Sequence, residues 1–324
     1  MRILVTGTAG YIGHAVAERL TKGGHDVTGL DLRSANKPQS FDAMQCDICD
    51  AASLKTAIAA IRPEAVVHLA AQTDIRGEAS LDEYPANIQG VENLVAALAD
   101  VGTCRQAVYA STQLVCRPGY IPRSDTDYCP HTFYGQSKVR TEQIIRERAS
   151  SVSDWCLIRP TSIWGPGMSD HYQTMLRLIQ RGVYFHCGRA PLFKSFGYID
   201  NAAFQISRLA TAPADQIAGK TFYIADYEPF SLRKYTNDLA KGFGTRSIPT
   251  VPLPLARSLA WIGDKIGAMG VRRFPFNSFR LNNILTEYRF DVTELASVCG
   301  PTPVSYDEGI AKTIAWYKEL QITS

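Results

Sequence analysis

The most constraining feature of this sequence is a glycine pattern directly after the first apolar run. Ile3–Thr6 predicts a buried strand, and Gly7, Gly10 and Gly13 follow it in the spacing G-x-x-G-x-x-G. Glycine permits a tight turn and the close approach of backbone amides to a phosphate, and a following helix points its amino end at that anion. We expect that helix to run to about Lys22. The pattern therefore predicts a strand, a phosphate-binding loop and a helix.

Short apolar, β-branched runs recur through the first half of the chain and alternate with segments of helical spacing. The helical segments include one with apolar residues at Ile88, Val91, Leu94 and Leu98, which Pro85 introduces. Alternation of this kind predicts an α/β Rossmann fold, a doubly wound parallel sheet with helices on both faces. The remaining predicted strands are Asp26–Leu30, Ala65–Leu69, Gln106–Ala110, Trp155–Ile158 and Thr221–Ala225.

After about Thr161 the pattern loosens into turns rich in glycine and proline, which predicts a smaller, discontinuous second lobe. We assign 1–161 plus about 196–225 to the Rossmann domain. About 162–195 plus 226–324 form the predicted substrate-binding lobe, with a helix beginning near Leu255.

Composition narrows the possible partners. A formal net charge of +3 over 324 residues is too small and too dispersed to predict binding to nucleic acid or to a membrane. The chain opens on the predicted first strand, without an expected leader segment, and no apolar run is long enough to span a bilayer. Eight scattered cysteines are typical of reduced thiols, so we expect a cytoplasmic protein. Cys46 and Cys49 lack a second pair at zinc spacing, and no metal site is predicted.

The predicted second strand ends at Asp31, where a carboxylate can accept hydrogen bonds from the hydroxyls of an adenosine ribose. The same charge would repel a 2'-phosphate, so Asp31 favours NAD over NADP. Arg33 lies two residues further on and could soften that preference, since a guanidinium attracts a 2'-phosphate.

Several further motifs follow the glycine loop in order: Cys46-Asp47-Ile48, His68-Leu69-Ala70-Ala71, Asn87-x-x-Gly90, Ser111-Thr112, Tyr134-Gly135-Gln136-Ser137-Lys138, Phe196-Gly197-Tyr198-Ile199-Asp200 and Asp307-Glu308-Gly309 to Trp316-Tyr317. In this order they resemble the extended short-chain dehydrogenase/reductase family, particularly its nucleotide-sugar epimerase and dehydratase branch. The resemblance spans nearly the whole chain.

The resemblance implies that Thr112, Tyr134 and Lys138 are catalytic. Moving a hydride to or from an alcohol carbon requires a proton to join or leave the oxygen, and a phenol with a pKa of about 10 is a weak base at neutral pH. The Lys138 ammonium would lower the Tyr134 pKa and bind the nicotinamide ribose, and the Thr112 hydroxyl would orient the reacting oxygen.

The same resemblance implies two sets of binding residues. Those for the cofactor are Gly7, Gly10, Tyr11, Ile12, Gly13, Asp31, Asp47, Ile48, Leu69, Ala70, Ala71, Asn87, Ser111, Tyr134, Lys138 and Pro160. Those for a nucleotide-sugar substrate are Thr112, Gln113, Tyr134, Ser162, Lys194 and Arg280. A homodimer through the helices near Leu94 and Thr141–Ile145 is also implied.

The sequence departs from the dehydratases of this branch after the threonine. Those enzymes place an Asp-Glu pair where this chain has Gln113 and Leu114, and neither side chain can donate or accept the protons that elimination needs. The prediction is therefore an NAD-dependent nucleotide-sugar epimerase similar to UDP-glucose 4-epimerase. A 4-keto-6-deoxy-sugar reductase using NADH or NADPH is the main alternative. A hydroxysteroid- or flavonoid-type dehydrogenase and a non-enzymatic NAD-sensing regulator are further alternatives.

Overall fold

The centre of the fold is a parallel sheet of seven strands. The computed structural model describes residues 1–34, 39–74, 80–269 and 276–322. The strands are β1 Arg2–Thr6, β2 Asp26–Asp31, β3 Asp42–Gln45, β4 Ala65–His68, β5 Gln106–Ala110, β6 Asp154–Pro160, β7 Ser162–Trp164, β8 His186–Cys187, β9 Phe193–Lys194, β10 Phe196–Tyr198, β11 Thr221–Ile224, β12 Phe230–Ser231 and β13 Thr250–Val251. The sheet has the order β11-β6-β5-β4-β1-β2-β3, and every pairing in it is parallel. The predicted Rossmann architecture is confirmed.

Helices connect the strands and cover the sheet. They are α1 Tyr11–Lys22, α2 Ala51–Ile61, α3 Gln89–Val101, α4 Phe133–Arg148, α5 Asp170–Gln180, α6 Ile199–Leu209, α7 Ala214–Ile217, α8 Leu232–Phe243, α9 Leu253–Ala268, α10 Ser278–Leu285, α11 Thr293–Cys299 and α12 Tyr306–Ile322. On one face of the sheet Leu4, Val66 and Tyr109 pack with Leu54 of α2 and Leu94 of α3 in one buried cluster. None of the helices in the described part of the chain is both long and apolar enough to cross a membrane.

The edge strand β3 is not among the predicted strands. It pairs in parallel with β2, with Leu30 opposite Met44 and Asp31 opposite Gln45. Three of its four residues are exposed. Because an exposed edge strand needs no apolar alternation, its sequence carries no strand pattern.

The chain divides into two compact units. The first comprises Met1–Ile163, Gly197–Tyr227 and Asp291–Val304, and the second Trp164–Phe196, Glu228–Phe290 and Ser305–Ser324. The segment Asp291–Val304, which the sequence analysis groups with the second lobe, belongs to the first unit because α11 contacts α6 and β11.

The apolar residues that mark the two predicted dimer helices lie in the interior of the chain. Leu94, Ile144 and Ile145 are fully buried in the core cluster. The Thr141 hydroxyl is also buried and donates to the Asn87 carbonyl at 2.5 Å. These side chains therefore cannot form a subunit interface, and a dimer through α3 and α4 would have to use their exposed faces.

Candidate active site

The glycine loop joins β1 to α1 and is shaped by close backbone contacts. The Gly7 amide donates to the Leu30 carbonyl at 2.7 Å, and the φ of Gly7 is +80°, a conformation that favours glycine. A Cβ at Gly7 would lie 2.7 Å from the Ala70 nitrogen, and a Cβ at Gly13 would collide with the Gly7 carbonyl oxygen. Both positions therefore exclude side chains, and the loop stays tight against the end of β4.

The amino end of α1 begins at this loop. Gly10 caps the helix without a side-chain hydrogen bond, and the first turn contains no acidic residue. Tyr11 and Ile12 are half-buried. First-turn amides have no acceptor within their own helix and lie at the positive end of its dipole. The loop and helix therefore suit the pyrophosphate of a dinucleotide.

The Asp31 carboxylate at the end of β2 lies beside the glycine loop. One oxygen accepts the Ala9 amide at 2.9 Å, and the other accepts the Arg33 amide at 3.0 Å. The Arg33 side chain, which is largely exposed, reaches Asp31 with Nε at 3.6 Å. This places the carboxylate next to the phosphate loop, as a ribose-binding residue requires.

Thr6, which the sequence analysis does not assign to the site, fixes the segment after β4. Its hydroxyl oxygen accepts the amides of Leu69 and Ala70 at 3.2 and 3.1 Å and lies 2.8 Å from His68 Nδ1. Since both lone pairs are used, the hydroxyl proton goes to Nδ1. Complete burial, assisted by the Lys138 charge, lowers the His68 pKa to about 3, so the ring is neutral. Leu69, Ala70 and Ala71 are thereby held, half-buried, against the glycine loop.

Asn87 ties this segment to α4. Its side-chain oxygen accepts the Gln72 amide at 2.9 Å, while Nδ2 donates at 2.9 Å to the Gln72 carbonyl and to the Ser137 hydroxyl. The residue is fully buried. Asn87 therefore holds the segment after β4 against α4 and can support the predicted cofactor cleft without an exposed side chain.

Asp47 and Ile48 differ in what they can offer an adenine. Asp47 is exposed, and its carboxylate accepts the Cys49 amide at 2.9 Å. The Ile48 side chain is buried against Gly90, where a Cβ would lie 2.6 Å from Ile48 Cδ1, and Asn93 donates to the Ile48 carbonyl at 3.0 Å. A contact of Ile48 with adenine would therefore have to use its backbone.

Tyr134 and Lys138 lie one turn apart on α4, whose N-terminus the Thr132 hydroxyl caps by accepting the Gly135 amide at 3.0 Å. The Tyr134 ring is buried and lies 6.2 Å from the ring of Tyr84, whose hydroxyl donates to the Asp74 carbonyl at 2.5 Å. This packing holds the phenol in place.

The Lys138 ammonium is the most unusual group of the site. Its residue is 1% exposed, and no side chain or carbonyl of the described residues accepts a hydrogen bond from it. Burial lowers the Lys138 pKa to about 8, against the opposing effect of Glu142. A buried cation without a protein acceptor is costly to keep, and ribose hydroxyls would supply the acceptors it lacks.

Thr112 and Gln113 follow β5 and begin a 3-10 turn. The Thr112 oxygen accepts the Leu114 amide at 3.2 Å, which leaves its hydroxyl proton for another acceptor. A Cβ at Gly135 would collide with the Leu114 carbonyl oxygen, so this turn lies directly against the start of α4. Thr112 is therefore brought to the helix that carries Tyr134 and Lys138.

Ser111 uses its hydroxyl proton within the protein, so its predicted contact with a cofactor would have to use the hydroxyl oxygen as an acceptor or the backbone. It donates to the fully buried Glu142 at 2.6 Å. Glu142 also accepts from Tyr128 at 2.9 Å and from two nitrogens of Arg159, both at 2.8 Å. Burial alone would lower the Arg159 pKa, but the bonds to Glu142 raise it above its ordinary value. This network joins β5, β6 and α4.

No role is predicted for Glu142 from the sequence. The one feature that could have indicated the network is the position of this acidic residue, four after Lys138 and on the same face of the helix. Predicting the role of Glu142 would have required knowing that the polar face of α4 with Lys138 and Glu142 is buried.

Among the predicted substrate residues, Lys194 has an unsuitable geometry. It is 2% exposed, and its ammonium donates to the Asn283 carbonyl at 2.9 Å and to the Thr286 carbonyl, at the end of α10. It also lies 4.5 Å from the centre of the Tyr288 ring. Burial lowers the Lys194 pKa to about 8. Because two carbonyls and a ring already surround the charge, the Lys194 ammonium has fewer donors left for a diphosphate, and its substrate role stays a prediction.

The other predicted residues lie at the ends of secondary-structure elements. Gln113 begins the 3-10 turn, Pro160 ends β6 and Ser162 begins β7, all half-buried. Arg280 lies in the first turn of α10, where its amide donates to the capping Asn277 at 2.9 Å.

Cysteines do not form a further site. All eight are free thiols, and burial raises the Cys49 pKa to about 11 and that of Cys46 above its ordinary value. Among the described residues there is no group of three or more His, Cys, Asp or Glu that could hold a metal ion.

Comparisons with known proteins show the family and the fold. Residues 3–225 match the model of the family described as "NAD dependent epimerase/dehydratase family". Similar proteins include a 2-alkyl-3-oxoalkanoate reductase of Stenotrophomonas maltophilia, 29% identical over 89% of this chain and 88% of the relative. A UDP-glucose 4-epimerase of Mycolicibacterium smegmatis is 27% identical over 98% of this chain and 99% of its own.

A crystal structure of UDP-glucose 4-epimerase with UDP-glucose from Thermotoga maritima shares the fold. Its TM-score is 0.75 with 20% identity, and the match covers 99% of this chain and all of the other. The cofactor of the matched family is NAD, and the glycine loop, Asp31 and the Lys138 ammonium fit it. From its sequence match and its site, this chain belongs to the NAD-dependent epimerase/dehydratase family of the extended short-chain dehydrogenases/reductases.

Proposed function

We propose that this protein is an NAD-dependent epimerase of a nucleoside-diphosphate sugar, with Tyr134 as the acid and base, Lys138 as the group that lowers its pKa and Thr112 as the residue that orients the sugar hydroxyl. The observation that carries the proposal is the buried Lys138 ammonium one helical turn from Tyr134, without an acceptor among the described residues.

Bound NAD supplies the hydride acceptor and later the hydride donor. The protein's own task is to move a proton. The Tyr134 phenolate takes the proton of the sugar hydroxyl as the carbon is oxidised and returns it on re-reduction from the other face of the ring. The Lys138 charge, in a buried setting where charges are weakly screened, favours that phenolate.

Thr112 and Leu114 limit the chemistry. The Thr112 proton can be donated to the reacting oxygen, because the Thr112 oxygen already accepts the Leu114 amide. Leu114 itself can neither donate nor accept a proton. Elimination of water or loss of carbon dioxide would need such a group, so oxidation and reduction at a single carbon remain.

The match to the M. smegmatis UDP-glucose 4-epimerase over nearly the whole of both chains supports a nucleotide-sugar substrate. A 4-keto-6-deoxy-sugar reductase would use the same three residues and release oxidised cofactor after each turnover. Neither Tyr134 nor Lys138 distinguishes these two reactions, so product analysis has to decide between them.

A second candidate is a dehydrogenase or reductase of an apolar alcohol or ketone. Lys194 favours it, because a cation engaged by two carbonyls leaves the second unit with one fewer charge for a diphosphate. The oxoalkanoate reductase and a Mycobacterium tuberculosis 3 beta-hydroxysteroid dehydrogenase/Delta 5-->4-isomerase, 28% identical over 76% of this chain and 70% of its own, are relatives of that kind.

The test is an assay of the full chain with NAD and a panel of UDP-, TDP- and GDP-linked sugars, read both by product analysis and by absorbance of reduced nicotinamide. Isomerisation without net change of the cofactor supports the epimerase. Stoichiometric consumption of NADH or NADPH with a keto sugar contradicts epimerisation and identifies a reductase. Turnover confined to hydroxysteroids or oxoalkanoates contradicts the nucleotide sugar.

A further inference from the structure

Helix α9 carries most of its large apolar side chains on the outside. Its buried residues are the small Ala256, Ala260 and Gly263, spaced by four and three positions. Ala256 and Ala260 pack with Leu281 of α10 in a small buried cluster. A helix that packs only to support its own unit would turn its large apolar residues inward. Here the fully buried residues are all small, and the large Leu253 and Ile266 are only half-buried.

The large residues form a separate exposed stripe. Leu255, Leu259 and Ile262 are spaced by four and three positions along α9, and Met269 continues the stripe one residue after the helix ends, 82% exposed. Trp261 and Phe279 of α10 are also mostly exposed, at 60% and 62%. These six residues, which we call the α9 surface, are half of the twelve exposed large hydrophobic residues in the described ranges.

Positive charge accompanies the α9 surface. Arg257 and Lys265 lie exposed on α9, with the Lys265 ammonium 5.4 Å from the centre of the Trp261 ring. The one acidic residue of the two helices, Asp264, accepts the Ser278 amide at 3.1 Å and the Ser278 hydroxyl. Its charge thus serves to join the helices, and net positive charge remains around the apolar stripe.

We propose that the α9 surface is a docking site for an anionic phospholipid bilayer, to which the protein binds peripherally. Apolar side chains with an adjacent Trp and basic residues are what a helix needs to lie in the headgroup region of a bilayer. Anionic headgroups complement the exposed Arg257 and Lys265. A second copy of this chain docked through the same surface would bring those charges against each other.

The proposal does not rest on the reaction catalysed. The two proposals can therefore fail independently. A protein that is inactive on every substrate can still bind lipid, and an active enzyme can show no binding to vesicles.

Sedimentation of the full chain with vesicles tests the proposal. We expect binding to vesicles of phosphatidylcholine and phosphatidylglycerol, weak binding to phosphatidylcholine alone, and a decrease with added salt. The double variant Leu259→Gln/Ile262→Gln should reduce the bound fraction about tenfold, and Arg257→Gln/Lys265→Gln should remove the preference for the anionic lipid. Ile121→Gln, at a residue that is exposed in the first unit, is the matched control and should bind normally.

All these substitutions are at exposed positions, and thermal melting confirms that each variant folds. Absence of binding to the anionic vesicles would overturn the proposal, as would binding that the Leu259→Gln/Ile262→Gln variant retains. A dimer in light scattering that this variant converts to a monomer would also overturn it, because the occupant would then be a second copy.

Discussion

At the scale of single residues, burial of the Lys138 charge has the largest consequences. Spacing and motif order predict Tyr134, Lys138 and Thr112 as a group, and the structure places the turn at Thr112 against the helix that carries the other two. The sequence says less about Lys194. The sequence near a predicted diphosphate site is the same whether the lysine ammonium faces the ligand or, as here, the carbonyls at the end of α10.

The lowered Lys138 pKa gives a prediction about stability. At pH 7 both the folded and unfolded protein carry the charge, and folding bears the full cost of burying it. Between about pH 8 and the ordinary value of 10.5 the folded protein loses its proton first, so stability rises with pH. Lys138→Met should therefore raise the free energy of unfolding at pH 7 by on the order of 3 kcal/mol, a gain that shrinks above pH 8.

Denaturant unfolding of the cofactor-free protein across this pH range measures the effect. Lys55→Met, at an exposed ion pair with Asp100, is the control and should change little. A Lys138→Met protein that is less stable than the parent at pH 7 would show that the ammonium has partners in the fold.

At the scale of secondary-structure elements, the glycine loop is the segment that the sequence predicts best. Its conformation follows from the absence of side chains, and Gly13→Ala should remove it, because the added Cβ collides with the Gly7 carbonyl oxygen. We expect the NAD dissociation constant, measured by calorimetric titration, to rise by at least about tenfold. Gly267→Ala, where a Cβ meets nothing within 4 Å, is the matched control. Unchanged NAD affinity in Gly13→Ala would contradict the placement of the cofactor.

The Glu142 network is the contact between elements that the sequence predicts least. One carboxylate holds the end of β5 through Ser111, β6 through Arg159 and α4 through its own backbone. Glu142→Gln keeps the shape but leaves the Arg159 charge without its partner. We expect a loss of about 3 kcal/mol in the free energy of unfolding and a lower kcat from the displaced Thr112.

Glu147→Gln is the control for this substitution, since Glu147 is an exposed glutamate on the same helix. Equal stability of the Glu142 and Glu147 variants in urea unfolding would show that the buried pair contributes nothing.

At the scale of the whole molecule, the parallel sheet and the cofactor loop could be predicted because alternation and glycine spacing are local. The edge strand β3 could not, because its exposed residues have no pattern. A dimer through α3 and α4 stays a prediction, and the sequence could not show which faces of these helices it would use. Apolar residues such as Leu94 and Ile145 signal burial, and only the structure shows that they are buried within one chain. Conversely, the α9 stripe has the apolar spacing of a core helix but is exposed.

Cofactor preference is a property of the whole chain that thermal unfolding can measure. A ligand that binds only the folded state raises the melting temperature according to its affinity. Because Asp31 would repel a 2'-phosphate, NAD should raise the melting temperature more than NADP at equal concentration, and Asp31→Ser should narrow the difference. An equal or larger rise with NADP would show that Arg33 outweighs Asp31.

The most direct test of the central claim is rapid mixing of the NAD-loaded protein with the substrate that the panel identifies, followed by absorbance of reduced nicotinamide. In the parent protein the absorbance band of reduced nicotinamide should appear. Tyr134→Phe should bind NAD equally well and form this band at least about a hundredfold more slowly. Tyr227→Phe, which loses a hydroxyl bound to the Gly300 carbonyl, should behave as the parent. Undiminished band formation in Tyr134→Phe would contradict the assignment of Tyr134 as the acid and base.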